Sequence, residues 1–170
     1  MNWVKAFEYK KWANDELLSL GEQQWSALPE DDAKFFIRIL QHTTVVDALF
    51  IHRILGKPDP YQADNAEQTP SPIELRQVMQ QRDNWLIDYS KNADEQELKR
   101  EISFCFTDGK LGLLTVEEIL LHLLTHGSNH RGMASRTLAV NGLQRPADTF
   151  TRYLHQAEPG RRVTAAEDLG

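Results

Sequence analysis

The sequence predicts an all-α fold, a bundle of long helices with one small β-hairpin. First, apolar residues recur at helical spacing through four long segments. Second, two of these segments begin with a capping box, in which an N-cap hydroxyl pairs with a glutamate three residues later. Third, one short stretch alternates apolar and polar residues up to an Asp-Gly pair, which is typical of a hairpin.

Each predicted element follows from these signals. The capping boxes pair Ser71 with Glu74 and Thr115 with Glu118, and they mark the starts of the third and fourth long helices. The polar connection before the third helix holds four prolines, and some bundle topologies include a long crossover of this kind. In chain order we predict helices over 2–20 and 33–55, the connection over 57–72, a helix over 71–90, the hairpin within 99–114, a helix over 115–141 and a short helix over 147–156.

Length and composition point to one domain and exclude several classes of partner. A chain of 170 residues suits a single core, so we predict one bundle domain over residues 1–158 and a polar, loose tail over 159–170. The net charge of −6 argues against nucleic acid as a partner. Because no apolar run is long enough for a membrane span or a signal peptide, we expect a cytoplasmic protein without a membrane partner.

Cys105 is the single cysteine of the chain, so no intramolecular disulfide can form. It lies in the predicted hairpin with no adjacent base in the sequence. We therefore expect a buried structural cysteine and not a nucleophile.

Helical geometry sorts the histidines into inward-facing and outward-facing groups. On the fourth predicted helix, His126 and His130 lie on or beside the apolar stripe, one turn apart, whereas His122 lies on its flank. On the second helix His42 shares the apolar face and His52 points away from it. Two helices therefore present histidine to the same interior, which is how helical bundles build metal sites.

Three imidazoles can hold zinc, nickel or a similar ion and leave one coordination position open. Such a site lowers the pKa of a bound water or thiol. The glutamate of the His-Glu-x-x-His metalloprotease pattern is absent, because Gly127, Ser128 and Asn129 follow His126. From the residues alone, a metal site and a hydrogen-bonded set of core histidines both remain open.

Several segments resemble the DinB/YfiT-like superfamily, the damage-inducible DinB proteins of bacteria. Residues 120–132 (LLHLLTHGSNHRG) resemble the signature of its fourth helix, and residues 9–14 (YKKWAN) resemble a stretch of its first helix. The second-helix segment 40–42 (LQH), the pair at 108–109 and the segment 145–149 (RPADT) are also similar. The chain departs from the pattern at two places, where it has Met133 in place of glutamine and Phe50 near a position often occupied by tryptophan.

The resemblance implies an up-down-down-up four-helix bundle with the short β-hairpin before the fourth helix. It maps His42, His126 and His130 onto three metal ligands for one divalent ion, zinc or nickel, and it implies a homodimer. Some relatives act on low-molecular-weight thiols such as glutathione, mycothiol or bacillithiol. We therefore expect a metal-dependent hydrolase or thiol S-transferase with a small-molecule substrate.

The alternative is a non-enzymatic stress-response bundle with a structural metal and a functional dimer surface. No catalytic residue is assigned, and the sequence leaves enzymatic activity open. Asp47 and Asn14 are candidates for orienting the ligands or lining the pocket. His122 is a candidate for a supporting group or an exposed flank residue. Arg131 projects away from the ligand face, toward packing or a dimer surface.

Overall fold

The computed structural model describes residues 1–162 of the chain. The fold is mostly helical with one small antiparallel sheet. Its elements in chain order are α1 (Trp3–Gln23), α2 (Glu30–Ile54), α3 (Pro72–Asn92), α4 (Glu95–Leu98), β1 (Glu101–Cys105), β2 (Leu111–Thr115), α5 (Val116–Val140) and α6 (Phe150–Ala157).

The predicted helix ends agree with the structure to within a few residues. Ser71 and Glu74 form the capping box of α3, and Thr115 and Glu118 form that of α5. Helix α5 ends at Val140 with Asn141 as its C-cap, and Gly142 follows with φ of 69°. The one-turn helix α4 was not predicted, and neither was the short 3-10 helix Trp25–Ala27.

The β-hairpin packs one face onto the bundle and leaves the other exposed. Ile102 is buried and Phe104 packs on Phe50 of α2, with ring centroids 5.6 Å apart. Arg53 donates to the carbonyl oxygen of Cys105 at 3.1 Å and holds the end of β1 against α2. Strand alternation then turns the Cys105 side chain outward, where it is exposed, so the predicted buried cysteine was wrong.

The four long helices contact one another pairwise around a common interior. Helix α1 packs against α3 and α5, and α2 packs against the same two helices. Apolar side chains fill both ends of this interior, and residues 43–51 of α2 are all buried. Histidines on α2 and α5 can therefore meet, because these two helices share a long contact.

The connection between α2 and α3, residues 55–71, folds back along α2. Arg38 donates to the carbonyl oxygen of Ala66 at 2.6 Å, and Gln41 donates to that of Gln68 at 2.7 Å. The backbone of the connection therefore lies beside the middle of α2, next to one of the predicted ligands.

The predicted tail is described only in part. Residues Pro159–Arg161 form one 3-10 turn, and residues 163–170 lie outside the described part of the chain. Within the described part, no helix is both long and apolar enough to cross a membrane.

Candidate metal centre

The three predicted ligands meet between α2 and α5. The Nε2 atom of His126 lies 3.2 Å from Nε2 of His42 and 3.1 Å from Nε2 of His130. One ring nitrogen from each of the three lies within 4.8 Å of the other two. Within residues 1–162 no fourth histidine, cysteine or carboxylate joins this cluster.

The backbone of the α2–α3 connection orients one of these rings. Nδ1 of His42 lies 2.7 Å from the carbonyl oxygen of Asp64, so Nδ1 carries the hydrogen and Nε2 presents a lone pair to the cluster. Nδ1 of His126 and Nδ1 of His130 are buried without a hydrogen-bond partner in the described chain. Among the three ligands, His42 is therefore the one whose tautomer the described residues set.

Hydrogen bonds alone satisfy the cluster poorly, and a cation fits it. Nε2 of His42 has no hydrogen to donate, and Nε2 of His126 has at most one for two close neighbours. A single hydrogen cannot bridge both contacts well, whereas an ion bonded to three lone pairs satisfies all of them. The observed nitrogen spacings also approach the about 3.3 Å edge of a tetrahedron built on zinc–nitrogen bonds of about 2.0–2.1 Å.

Burial and the neighbouring histidines keep His126 and His130 uncharged. Burial, together with the neighbouring His130 and His42, lowers the pKa of His126 to about 3. Burial, followed by the charge of His42, also lowers the pKa of His130. Since a metal binds the neutral imidazole, His126 and His130 are in their ligating form at neutral pH.

The cluster remains accessible from outside. All three histidines are partly exposed and none is sealed in the core. These three histidines would hold a divalent ion and leave room at it for water or a substrate atom. This arrangement is typical of catalytic zinc sites, because structural sites are usually closed by four protein ligands.

The remaining histidines of α2 and α5 lie outside the cluster. The His122 ring packs between His126 and Phe50, with centroid distances of 5.2 and 5.1 Å. It is exposed, as its flank position predicted, although partial burial lowers its pKa. His52 contacts the carbonyl oxygen of Pro58 and takes no part in the cluster.

A buried ion-pair network lies behind the cluster, on the inner side of the bundle. Lys10 of α1 bonds Asp47 of α2 and Asp83 of α3, each at 2.7 Å, and all three side chains are almost fully buried. Burial opposes the charge of Lys10, but the charges of Asp47 and Asp83 outweigh it and raise its pKa. Asp47 therefore pairs with a lysine and makes no hydrogen bond to a ligand histidine in the described chain.

The network extends to the segment that follows α5. Asn14 donates to Asp83 at 2.7 Å and accepts from Arg131 at 3.4 Å, and Arg131 donates to Asp148 at 2.9 Å. Tyr9 donates to the same Asp148 carboxylate at 2.6 Å, and burial raises the pKa of Tyr9 to about 12. Arg131 is 1% exposed, so of its two predicted roles the structure supports packing, not a surface contact.

The sequence contains one signal for this network, on the first helix. Lys10 and Asn14 stand on the apolar stripe of α1, at helical spacing from Phe7 and Leu17. A charged residue on such a stripe must be paired if the helix is to bury that face. Its acidic partners could not be named, because periodicity does not show which helices are neighbours.

Two comparisons with known proteins give no match, and one identifies a family. No curated protein and no solved structure matches the chain. The family model described as "DinB family" matches residues 1–163.

Proposed function

The chain belongs to the DinB family, and on this basis we propose that it is a metal-dependent enzyme acting on a small molecule. We propose a hydrolase or a thiol S-transferase that uses one divalent ion, zinc or nickel. The observation that carries the proposal is the convergence of three imidazole nitrogens in a partly exposed cluster. Family membership and this cluster support the metal site, and the open side of the cluster supports catalysis.

The chain's own residues have separable roles in this proposal. His42, His126 and His130 would hold the ion, and the carbonyl oxygen of Asp64 would keep His42 in its ligating tautomer. When bound, a divalent ion with three neutral ligands and an open position lowers the pKa of a water or thiol there. No carboxylate in residues 1–162 joins the cluster, so the protein leaves the charge of the ion uncompensated at that point.

We also propose the up-down-down-up order of the four long helices. Helices α1 and α3 pack antiparallel, and so do α2 and α5. Helices α1 and α5 pack parallel. The supporting side-chain pairs are Lys11–Asn84, Asp15–Gln80 and Ser19–Arg76; Asp32–Asn141 and Phe50–His122; and Asn14–Arg131 with Lys10 beside Gly127.

Metal content tests the first part of the proposal. The full chain, purified in the presence of zinc or nickel, should contain one ion per chain by elemental mass spectrometry. His42→Ala, His126→Ala and His130→Ala should each lose the ion, whereas His52→Ala should retain it because His52 lies outside the cluster. Protein without bound metal after supplementation would contradict the proposal.

Activity tests the second part. In a screen with a test electrophile, the metal-loaded chain should catalyse attack by one of four nucleophiles: water, glutathione, mycothiol or bacillithiol. Attack by water would be hydrolysis, and attack by a thiol would be S-transfer. Turnover should disappear on chelation and in His126→Ala. If the loaded chain is inactive and chelation unfolds it, the metal is structural and the proposed enzyme is wrong.

A further inference from the structure

A cavity of about 420 Å³ lies on the opposite side of α1 from the buried lysine network, between the C-terminal half of α1, the segment after α5 and α6. Its walls include Trp12 and Glu16 of α1, Arg145 and Pro146 of the segment, and Arg152 of α6. Ligand pockets for small molecules begin at roughly 300 Å³, so this volume can hold one.

The walls of the cavity are fixed without a ligand. The Trp12 indole donates to Gln156 at 2.8 Å and packs on Tyr9 with ring centroids 6.2 Å apart. Gln24 and Gln144 exchange hydrogen bonds at 2.7 and 2.8 Å, which fasten the segment after α5 to the end of α1. A site with preformed walls loses little conformational entropy on binding.

Two opposite charges in the cavity have unused hydrogen-bonding capacity. Oε1 of Glu16 lies 3.4 Å from Arg152, but Oε2 is buried and has no partner in the described chain. Arg145 makes no hydrogen bond or ion pair with residues 1–162. The long contact to Arg152 leaves the partly exposed Glu16 carboxylate able to accept a further, shorter hydrogen bond from a ligand.

From this arrangement we propose that the cavity binds an α-amino acid with an apolar side chain. The ammonium group of the ligand donates to Glu16, and its carboxylate accepts from Arg145. The apolar side chain packs on Trp12, Leu20 and Pro146. A zwitterion supplies both a donor to Glu16 and an acceptor to Arg145, whereas a simple anion or cation supplies only one of them.

This site is separate from the histidine cluster, and the proposal does not depend on the proposed enzyme. None of the ten residues that line the cavity belongs to the cluster. Failure of one proposal therefore leaves the other untouched. Because amino acids also chelate metals, the test must show where binding occurs.

The test is a titration of the full chain, as purified and after chelator treatment, with L-phenylalanine and L-leucine. Backbone NMR shifts should saturate at residues 12–23 and 144–152 and should agree between the two preparations. N-acetyl-L-phenylalanine and L-phenylalanine amide each lack one charge and should bind at least about tenfold more weakly, as expected for a lost charge-assisted hydrogen bond.

Variants separate the two ends of the ligand. Glu16→Gln should weaken the binding of L-phenylalanine at least about tenfold but leave the binding of N-acetyl-L-phenylalanine unchanged. Arg145→Gln should also weaken the binding of L-phenylalanine at least about tenfold but leave the binding of L-phenylalanine amide unchanged. The exposed residues Glu117 and Arg136 provide matched controls, Glu117→Gln and Arg136→Gln, which should bind like the wild type. The proposal is overturned if neither amino acid binds saturably, if both cavity variants bind normally, or if shifts are confined to the histidine cluster.

Discussion

Nδ1 of His42 lies 2.7 Å from the backbone carbonyl oxygen of Asp64, so the long α2–α3 connection orients a candidate metal ligand. A hydrogen bond of this kind fixes the tautomer and the direction of a ligating imidazole. The connection is therefore part of the candidate metal centre, even though none of its own side chains joins the cluster.

Releasing this connection should weaken metal binding. Arg38 and Gln41 hold it through the carbonyl oxygens of Ala66 and Gln68. We expect the double variant Arg38→Ala/Gln41→Ala to bind zinc roughly tenfold more weakly, the lower end of the usual effect of removing ligand-orienting contacts. Competition with a chromophoric chelator measures the affinity, and far-ultraviolet circular dichroism checks the fold.

The control for that variant is Arg76→Ala/Gln80→Ala on α3. These two side chains also make polar contacts across helices, to Glu22 and Asp15, but lie away from the histidines. The control should bind zinc like the wild type. Equal affinities for all three proteins would show that the α2–α3 connection does not orient His42.

The metal-free protein should become less stable as pH is lowered, because of His126. Burial and its histidine neighbours lower the folded-state pKa from the ordinary 6.5 to about 3. Between these values the unfolded chain binds the proton and the folded chain does not, so the free energy of unfolding decreases as pH falls through this window. Above pH 6.5 both states are neutral at this residue, and its contribution is fully present.

Urea unfolding of chelator-treated protein at several values between pH 7 and 4 measures this effect. His126→Gln removes the titrating group and should give a shallower dependence of unfolding free energy on pH than the wild type. The matched control, His155→Gln at an exposed position of α6, should keep the wild-type slope. Identical slopes for His126→Gln and the wild type would contradict the prediction.

Removing the buried ammonium group should destabilise the fold strongly. The Lys10 ammonium group bonds both Asp47 and Asp83 in the interior, so Lys10→Met removes the positive charge that pairs with these two buried carboxylates. Breaking a buried pair in this way costs roughly 3–5 kcal/mol of unfolding free energy. The neighbouring Lys11 donates to Asn84 at an exposed position, and Lys11→Met should change stability by about 0.5 kcal/mol or less. Urea unfolding distinguishes the two, and equal losses would contradict a structural role for the network.

The helices and the histidine face were predictable because both depend on local spacing. Capping residues fixed the starts of α3 and α5, and the 3.6-residue period placed His126 and His130 on the inner side of α5. His42 was predicted in the same way from its own helix. Each of these inferences needs only residues within a few turns of one another.

The rest of the site depends on contacts that local spacing does not contain. The carbonyl oxygen of Asp64 reaches His42 only because the connection folds back along α2. Asp83 reaches Lys10 only because α3 packs beside α1. Cys105 was wrongly expected to be buried, since alternation predicts two strand faces but not which one the bundle covers.

Two glycines of α5 should respond in opposite ways to the same substitution. A Cβ atom at Gly127 would lie 3.1 Å from Cε of Lys10, whose ammonium group two carboxylates hold in place, so the lysine cannot move aside freely. A Cβ atom at Gly132 meets nothing within 4 Å. Gly127→Ala should therefore destabilise the protein by about 1–3 kcal/mol through overpacking, even after the gain in helix propensity.

Gly132→Ala should instead stabilise the protein by about 0.5–1 kcal/mol, because alanine restricts the unfolded chain and favours the helix. Urea unfolding of the chelator-treated variants provides both values, and each variant is the other's control for adding one methyl group to α5. If both substitutions stabilise the protein equally, Lys10 is free to move. The contact of Lys10 with Gly127 would then not limit how closely α1 and α5 approach each other.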